Sequence, residues 1–303
     1  MMKFDIIGKK YWFFALSALA IIPGLISIAV QGFNLGIDFT GGTLLDLQFS
    51  RPVTVTEVRT ALQDYNLENS TIQLAVSGQS NASPNVFIRT HVLSDDERRI
   101  VLSGMEKSLG KFNTLRVEKV GAVIGSELTQ NAIIALLVSW AFMIAYITYR
   151  FEFKFAVAAI AAIAHDILLV IGMFSLLQKE IDASFIAAIL TIVGFSINDT
   201  IVIFDRIREN LKTQSKSEPL AQLVNRSIWQ TMTRSIYTVL TVVFATGALY
   251  VFGGETTKNF SLALLIGFAA GAYSSIFNAS PIWVTWKEYE ERKRMTFKTG
   301  GTK

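Results

Sequence analysis

Five residues in this 303-residue chain carry chemistry that does not match their surroundings: His165, Asp166, Asn198, Asp199 and Arg234. Each lies within a long apolar run or at the entry to one. If those runs cross a bilayer, a charged side chain near the centre costs about 2.5–3.5 kcal/mol on insertion scales, so its retention points to function. A carboxylate in that setting can take up and release a proton or hold a monovalent cation. An imidazole can share the proton, and a guanidinium can respond to the change in charge. Asp166 and Asp199 are too short to reach water from that depth. Arg234 is open to two readings, as the partner of a buried carboxylate or as a snorkelling side chain whose head group returns to the interface. His165 is also open to two, as a proton-sharing group or as a hydrogen-bond partner that fixes packing. Asp205, Arg206 and Arg208 follow Asp199 at the end of the same run, where charge at an interface is ordinary.

Other chemistry finds little support. Cysteine is absent, which removes disulfides and thiolate metal sites. His165–Asp166 is of metal-ligand type, but no second histidine or cysteine in an apolar run completes a site, and the only other histidine is His91. A Walker-type phosphate loop and a dinucleotide fingerprint are both missing. So is the Gly-x-Gly-Asp pattern expected of an intramembrane aspartyl protease. The expectation is a protein that is not an enzyme and carries no cofactor beyond a coupling ion, H⁺ or Na⁺.

The elements that must hold these residues are membrane helices. Half the chain is hydrophobic (51%), in blocks nearly free of charge. A bilayer core about 30 Å thick needs roughly 20 apolar residues per helix. The matching runs are 11–30, 131–149, 155–177, 183–204, 235–252 and 261–284. The net charge of +4 is concentrated beside these runs, which favours a lipid bilayer over nucleic acid as partner. Lys3, Lys9 and Lys10 precede the first run, and Arg150 and Lys154 fill the second-to-third connection. Arg206, Arg208, Lys212, Lys216 and Arg226 fill the fourth-to-fifth, and Arg292, Lys293, Arg294 and Lys298 follow the sixth. The short opposite connections carry only Lys179 and Lys258. This positive-inside bias predicts that both termini are cytoplasmic. The first run is open to a second reading as a cleaved signal peptide, since a basic start precedes it, but it is long for one and no clean small-x-small site follows it.

Helical phase relates the charged residues to one another. Ser184, Thr191, Asn198 and Asp205 recur every seven residues and make one polar stripe on the fourth helix, flanked by Asp199. Arg234, Thr238, Thr241 and Ala245 make a polar or small stripe on the fifth. Contact between these faces would place Asp199 near Arg234, on a fifth helix expected to begin near Ile228. In the sixth run Gly267, Gly271 and Ser274 form a small-residue face suited to close helix packing.

Between the first and second runs lies a soluble segment, Gly32 to Gly125. An alternating stretch at Thr43–Ser50 reads as a half-buried strand, and short strands follow at Thr71–Val76, Val86–His91 and Asn113–Val120. Capping boxes at Thr54–Glu57 and Ser94–Glu97 open two helices. Gly78–Pro84 is a turn-rich loop. The β-α-β-β-α-β order is ferredoxin-like, a fold that hosts many functions and decides none. Gly36-Ile37-Asp38-Phe39-Thr40-Gly41-Gly42 reads as a tight structural entry into the first strand, where glycine permits positive φ. The expected organisation is therefore 1–31, a cytoplasmic start and first helix; 32–125, the inserted domain; 126–286, five further helices with a cytoplasmic loop at about 206–228; and 287–303, a basic cytoplasmic tail. In fold class this is a polytopic α-helical membrane protein of six transmembrane helices with an inserted ferredoxin-like α+β extracytoplasmic domain.

Two segments resemble a known family. Gly36 to Gly42 resembles the signature of the SecD/SecF proteins. Val193-Gly-Phe-Ser-Ile-Asn-Asp-Thr-Ile-Val-Ile-Phe-Asp-Arg-Ile-Arg-Glu209 is similar to the fourth-helix motif of its SecF branch, as are His165–Asp166 and the Arg234 segment. The six-helix layout matches along essentially the whole chain. The resemblance implies a relative of resistance-nodulation-division transporters in the bacterial or archaeal cytoplasmic membrane. It would act with SecD, which supplies the other six helices, and with the SecYEG translocon, and would use the proton motive force or another ion gradient to help unfolded exported polypeptides cross. In the family, Asp199 and Arg234 match positions implicated in proton movement, with a partner carboxylate on SecD. A small-molecule exporter of the same superfamily is the alternative, although such chains usually hold both six-helix halves.

Overall fold

The structure is a computed structural model that describes residues 4–75, 85–150, 152–215 and 217–300. Val76, the turn-rich segment Gly78–Pro84, Lys3 and Lys216 lie outside the described residues. In chain order come α1 (Lys10–Gln31), β1 (Asn34–Leu35), α2 (Ile37–Thr40), β2 (Gly42–Phe49), α3 (Val55–Gln63), β3 (Thr71–Ala75) and β4 (Asn85–Thr90). Next are α4 (Asp95–Leu109), β5 (Phe112–Val120), α5 (Ala122–Arg150), α6 (Phe153–Leu176) and β6 (Glu180–Ile181). The chain closes with α7 (Ala183–Lys212), α8 (Leu220–Phe252), α9 (Glu255–Ser274), a π-helical turn (Ser275–Ala279) and α10 (Ser280–Gly300). These elements divide into two compact units, Met1–Asn34 with Ala135–Lys303, and Leu35–Ile134.

The second unit is the inserted domain. Its four strands stand in the order β3-β4-β2-β5, and every neighbouring pair is antiparallel. With α3 and α4 as the two crossovers this is the ferredoxin-like arrangement expected from the sequence. Alternation puts Leu45, Leu47 and Phe49 of β2 on the face that packs with Val58, Leu62, Val101 and Met105 of the helices. At its start, Gly41 and Gly42 take φ of 69° and 135°, values that strain any side chain. A β-carbon on Gly41 would also lie 2.8 Å from the Ala122 backbone, so the glycine pair sets how closely the strand entry meets the start of α5.

Both capping boxes form. The Thr54 and Ser94 hydroxyls accept the backbone N–H of Glu57 and Glu97, whose carboxylates accept the cap residues' own N–H groups at 2.8 and 2.7 Å. Those bonds hold both carboxyls below the ordinary glutamate value. At Glu57 the Thr54 backbone is the leading cause, followed by Arg51, and at Glu97 it is the Ser94 backbone. A lowered folded-state value contributes stability that is present above the unfolded value and lost as pH falls through the folded one. The segment Gly32–Gly125 is expected to fold alone. Its melting temperature should fall as the solution is acidified below 4.5, the unperturbed glutamate value. Glu57→Gln with Glu97→Gln should flatten that fall, as read by circular dichroism; an unchanged slope would remove the caps as its cause.

The first unit holds the membrane helices, except for the start of α5, which belongs to the second. Among the described residues six helical spans are long and apolar enough to cross a bilayer: Lys10–Gln31, Ala122–Arg150, Phe153–Leu176, Ala183–Lys212, Leu220–Phe252 and Thr256–Lys293. The chain is therefore a multi-pass membrane protein. Helix α6 is the centre, packed on α1, α7 and α9, while α7 and α8 both pack on α9. Trp283, stacked on Phe155 at 4.5 Å between ring centroids, anchors the core at one end.

The helices run well past the apolar runs. The loop expected at 206–228 is only residues 213–219, α8 begins at Leu220 rather than near Ile228, and the stretch expected as a basic tail is helical to Gly300. An apolar run marks what lipid requires, whereas backbone hydrogen bonding ends only at a stop signal. Here the polar continuation of α7 is supported by pairs one turn apart, Asp205–Arg208 at 2.7 Å and Arg206–Glu209 at 2.9 Å.

Candidate functional site

Asp166 of α6 and Asp199 of α7 are both buried, at 0% and 6% exposure. Asp166 Oδ1 lies 3.0 Å from His165 Nδ1, and its Oδ2 accepts from Ser196 Oγ at 2.6 Å and Ser274 Oγ at 2.8 Å. Asp199 Oδ1 accepts from Ser235 Oγ of α8 at 2.6 Å, and Oδ2 from Ser275 Oγ at 2.5 Å. Each carboxylate is thus satisfied mainly by hydroxyls supplied from neighbouring helices. Hydroxyls are suited to this because they can donate to an ionised carboxylate or accept from a protonated one. An ammonium or guanidinium offers no such reversal.

Helix geometry explains the convergence. Ser196 and Asp199 are three residues apart on α7, so they share a face and reach the two sites one turn apart. Ser274 and Ser275 are consecutive at the junction of α9 with the π turn, and each serves a different carboxylate. The turn touches α1, α6 and α7, and Asn278 within it donates to Ser17 Oγ of α1 at 3.0 Å. A π turn widens one helical turn and is often found at functional sites. Gly271 permits the approach, since a β-carbon there would stand 3.2 Å from Ser196 Cβ. His165 stacks on Tyr273, with 5.9 Å between ring centroids. Its Nε2 is buried without a hydrogen-bond partner among the described residues.

Arg234 stands elsewhere. It is exposed in this chain and lines an open cavity of about 420 Å³ with Arg150, Asp205, Arg206, Glu209 and Gln230. The neighbouring residue, Ser235, is the one that reaches Asp199. The stripes through Asn198 and Arg234 therefore approach one another only at the open cavity that Asp205 and Arg234 share. Thr191, Asn198, Arg234 and Thr241 are exposed, while Asp199 and Ser235 face inward. One residue is about 100° around a helix axis, enough to separate the two faces. Asp205 and Arg208 pair with each other, as do Arg206 and Glu209, at the end of α7. Gly36, Asp38, Gly41 and Gly42 belong to the entry of the inserted domain and stand in the other unit from this network.

Sequence reasoning missed Ser196, Ser235 and Ser275, and assigned Ser274 to packing alone. A signal was present, since these serines are hydroxyls within or at the ends of apolar runs on three helices. Nothing in the helical periods says which serine reaches which carboxylate.

Comparison with known proteins agrees with this architecture. Residues 101–289 match the family model of the protein export membrane protein SecD/SecF, C-terminal, and residues 26–53 that of the SecD/SecF GG motif. The chain is 50% identical to the protein translocase subunit SecF of Acidaminococcus fermentans, covering 96% of this chain and 100% of that one. It is 41% identical to SecF of Alicyclobacillus acidocaldarius, over 96% and 95%. The crystal structure of SecDF from Thermus thermophilus, a translocon-associated membrane protein, superposes with a TM-score of 0.86 at 38% identity over 94% of this chain. The chain spans 39% of that longer SecDF chain. Similarity of this extent in sequence and in three dimensions leaves one conclusion: the chain belongs to the SecD/SecF family of protein-export membrane proteins.

Proposed function

We propose that the chain is the SecF-type half of an ion-driven device that, with SecD, promotes polypeptide passage through the SecYEG translocon. The observation that carries this is Asp199. It is a membrane-buried carboxylate held by two hydroxyls, with no salt bridge to a cation among the described residues. Such a group can change protonation or ion occupancy without breaking an ion pair. The electrical part of a membrane gradient supplies about 2.3 kcal/mol per charge per 100 mV, and a bias of roughly 1–3 kcal/mol shifts a two-state element. Neither catalysis nor a cofactor beyond the coupling ion, H⁺ or Na⁺, is part of this reading.

The exposed polar face of α7 and α8 supports a partner. Asn198, Thr191 and Arg234 would be costly against lipid, and a second six-helix subunit bearing a carboxylate would cover and neutralise them. SecD is that subunit in this reading. The device sits in the cytoplasmic membrane with both termini inside, as the distribution of basic residues favours. An impermeant thiol reagent should therefore label Ser103→Cys on α4, but not Lys212→Cys on α7, in intact cells; the reverse pattern would invert the topology.

The functional test is late-stage export of a reporter into membrane vesicles, with and without an imposed ion gradient. Vesicles containing the chain and its partner should show gradient stimulation, and vesicles lacking the chain should not. Arg234→Lys should weaken that stimulation several-fold at matched protein level, because an ammonium lacks the planar fork that engages a carboxylate. Full activity of the lysine variant would leave Arg234 a snorkelling side chain.

A further inference from the structure

Two consecutive serines at the π turn serve two different buried carboxylates, and they share an alternative acceptor. Ser275 Oγ lies 2.5 Å from Asp199 Oδ2 and 2.8 Å from the Gly271 carbonyl. Ser274 Oγ lies 2.8 Å from Asp166 Oδ2 and 3.3 Å from the same carbonyl. A hydroxyl has one proton and donates to one acceptor at a time. While a carboxylate is ionised, its serine donates to it. Once the carboxyl is protonated at that oxygen, its own O–H donates to a serine Oγ, and that serine's proton must turn elsewhere. At Asp166 Oδ2, which Ser196 also bonds, this applies when the O–H is directed at Ser274. The Gly271 oxygen is the shorter alternative for Ser275, with the Ala272 carbonyl longer at 3.4 Å. That oxygen already accepts the Ser275 backbone N–H. A carbonyl has two lone pairs, so one place remains.

We infer that Ser274, Ser275 and the Gly271 carbonyl form a switch that couples Asp166 to Asp199, so that protonation of one carboxylate opposes protonation of the other. The two serines are positioning residues, and Asp166 is a second titrating group of the same device. Like charge acts in the same direction, because two carboxylates in one dry site do not ionise independently. The hydroxyl switch adds a coupling that depends on both serines being present. Other groups facing the pair are His165 on α6 and Tyr273 from α9, stacked on it; Arg234, beside Ser235 on α8, is exposed and lines the open cavity instead. Asp205 lies further along α7, next to Arg208. From α1 come only Lys10, paired with Glu288 of α10, and Tyr11. The titratable groups of α10 start at Lys287, seven residues beyond Ser280.

This inference rests on the reading of Asp199 as a titrating group, and its test needs no transport. The full chain is placed in lipid nanodiscs, and the protonated-carboxyl stretch is followed by infrared difference spectroscopy against pH. Asp166→Asn and Asp199→Asn assign the two bands, and imidazole does not contribute to them. In the wild type the two carboxyls should protonate in separated steps. Ser274→Ala and Ser275→Ala should each narrow the separation by roughly one pH unit, and the double variant by no more than either alone, since losing one hydroxyl already ends the competition. Ser275→Thr keeps the hydroxyl and should keep the separation. Additive shifts, each confined to the carboxyl beside the altered serine, would overturn the switch; so would an unchanged separation, or a narrowing in Ser275→Thr. A proton held between Asp166 Oδ1 and His165 Nδ1 would give the additive pattern. If export loses its stimulation in Asp199→Asn while these shifts are additive, ion coupling stands and the serine switch falls.

Discussion

Asp199→Asn is expected to abolish the gradient-stimulated part of export while leaving the chain inserted, folded and bound to its partner. Asparagine is nearly isosteric. Its Oδ1 still accepts from Ser235, and its Nδ2 can donate to Ser275 Oγ, which then donates to the Gly271 carbonyl 2.8 Å away. Both serine partners are kept and one amide N–H is left over, so the stability cost should be about 1–3 kcal/mol, that of one unsatisfied buried donor. The group can no longer gain or lose a proton or a unit of charge. Packing and titration are thereby separated, and the whole stimulated component should disappear rather than shrink. The measurement is reporter export in vesicles with and without the gradient, at matched protein levels, with Ser235→Ala as a milder companion that leaves the carboxyl in place. Stimulation that survives Asp199→Asn would make this carboxylate structural and move ion coupling to Asp166 and His165.

The second large effect is in packing, where the same substitution should act with opposite signs at two glycines. Helices α1 and α6 approach backbone to backbone at Gly24 and Gly172. A β-carbon on Gly24 would lie 2.6 Å from Gly172 Cα, and one on Gly172 would lie 2.9 Å from Gly24 Cα. Backbone atoms of two packed helices cannot turn aside as a flexible side chain can. Gly172→Ala must therefore push the helices apart, at a cost of about 1–3 kcal/mol, the usual penalty of overpacking. The separation would also stretch the Ser27–Ser175 hydrogen bond of 2.8 Å on the same seam. On α8, Gly247 has open space where a β-carbon would stand. There alanine removes only the helix penalty of glycine, a gain of about 0.5–1 kcal/mol. Thermal unfolding in mild detergent should show Gly172→Ala clearly lowered and Gly247→Ala unchanged or raised. Equal shifts in the two would mean that close approach at Gly24 does not govern α1.

The local features were legible because they depend on nearest neighbours in the chain. Thr54–Glu57 and Ser94–Glu97 announce capping boxes, since cap and carboxylate are three residues apart and need no tertiary partner. Alternation in β2 places Leu45, Leu47 and Phe49 on one face, and the six apolar runs locate the spans because the bilayer filters for length and polarity alone. Asp166 and Asp199 could be singled out for the same reason, as the cost of a carboxylate in an apolar run is a property of its own segment.

Contacts between segments were not legible. The length of α7 beyond its apolar run is set by helical hydrogen bonding and by pairs such as Arg206–Glu209, which hydropathy does not weigh. The period of a helix fixes which residues share a face, yet not which face turns toward which neighbour. The polar stripes through Asn198 on α7 and through Arg234 on α8 were therefore sound patterns, but the inward positions fell one residue on, at Asp199 and Ser235. By itself, the sequence determined the membrane spans, the inserted ferredoxin-like domain and the two carboxylates set within apolar runs. Only the tertiary structure decided what surrounds them. Four serines from α7, α8 and the α9–π junction meet around Asp166 and Asp199 through helix rotation, close approach at Gly271 and the widened turn at Ser275, and these arise only when the helices pack.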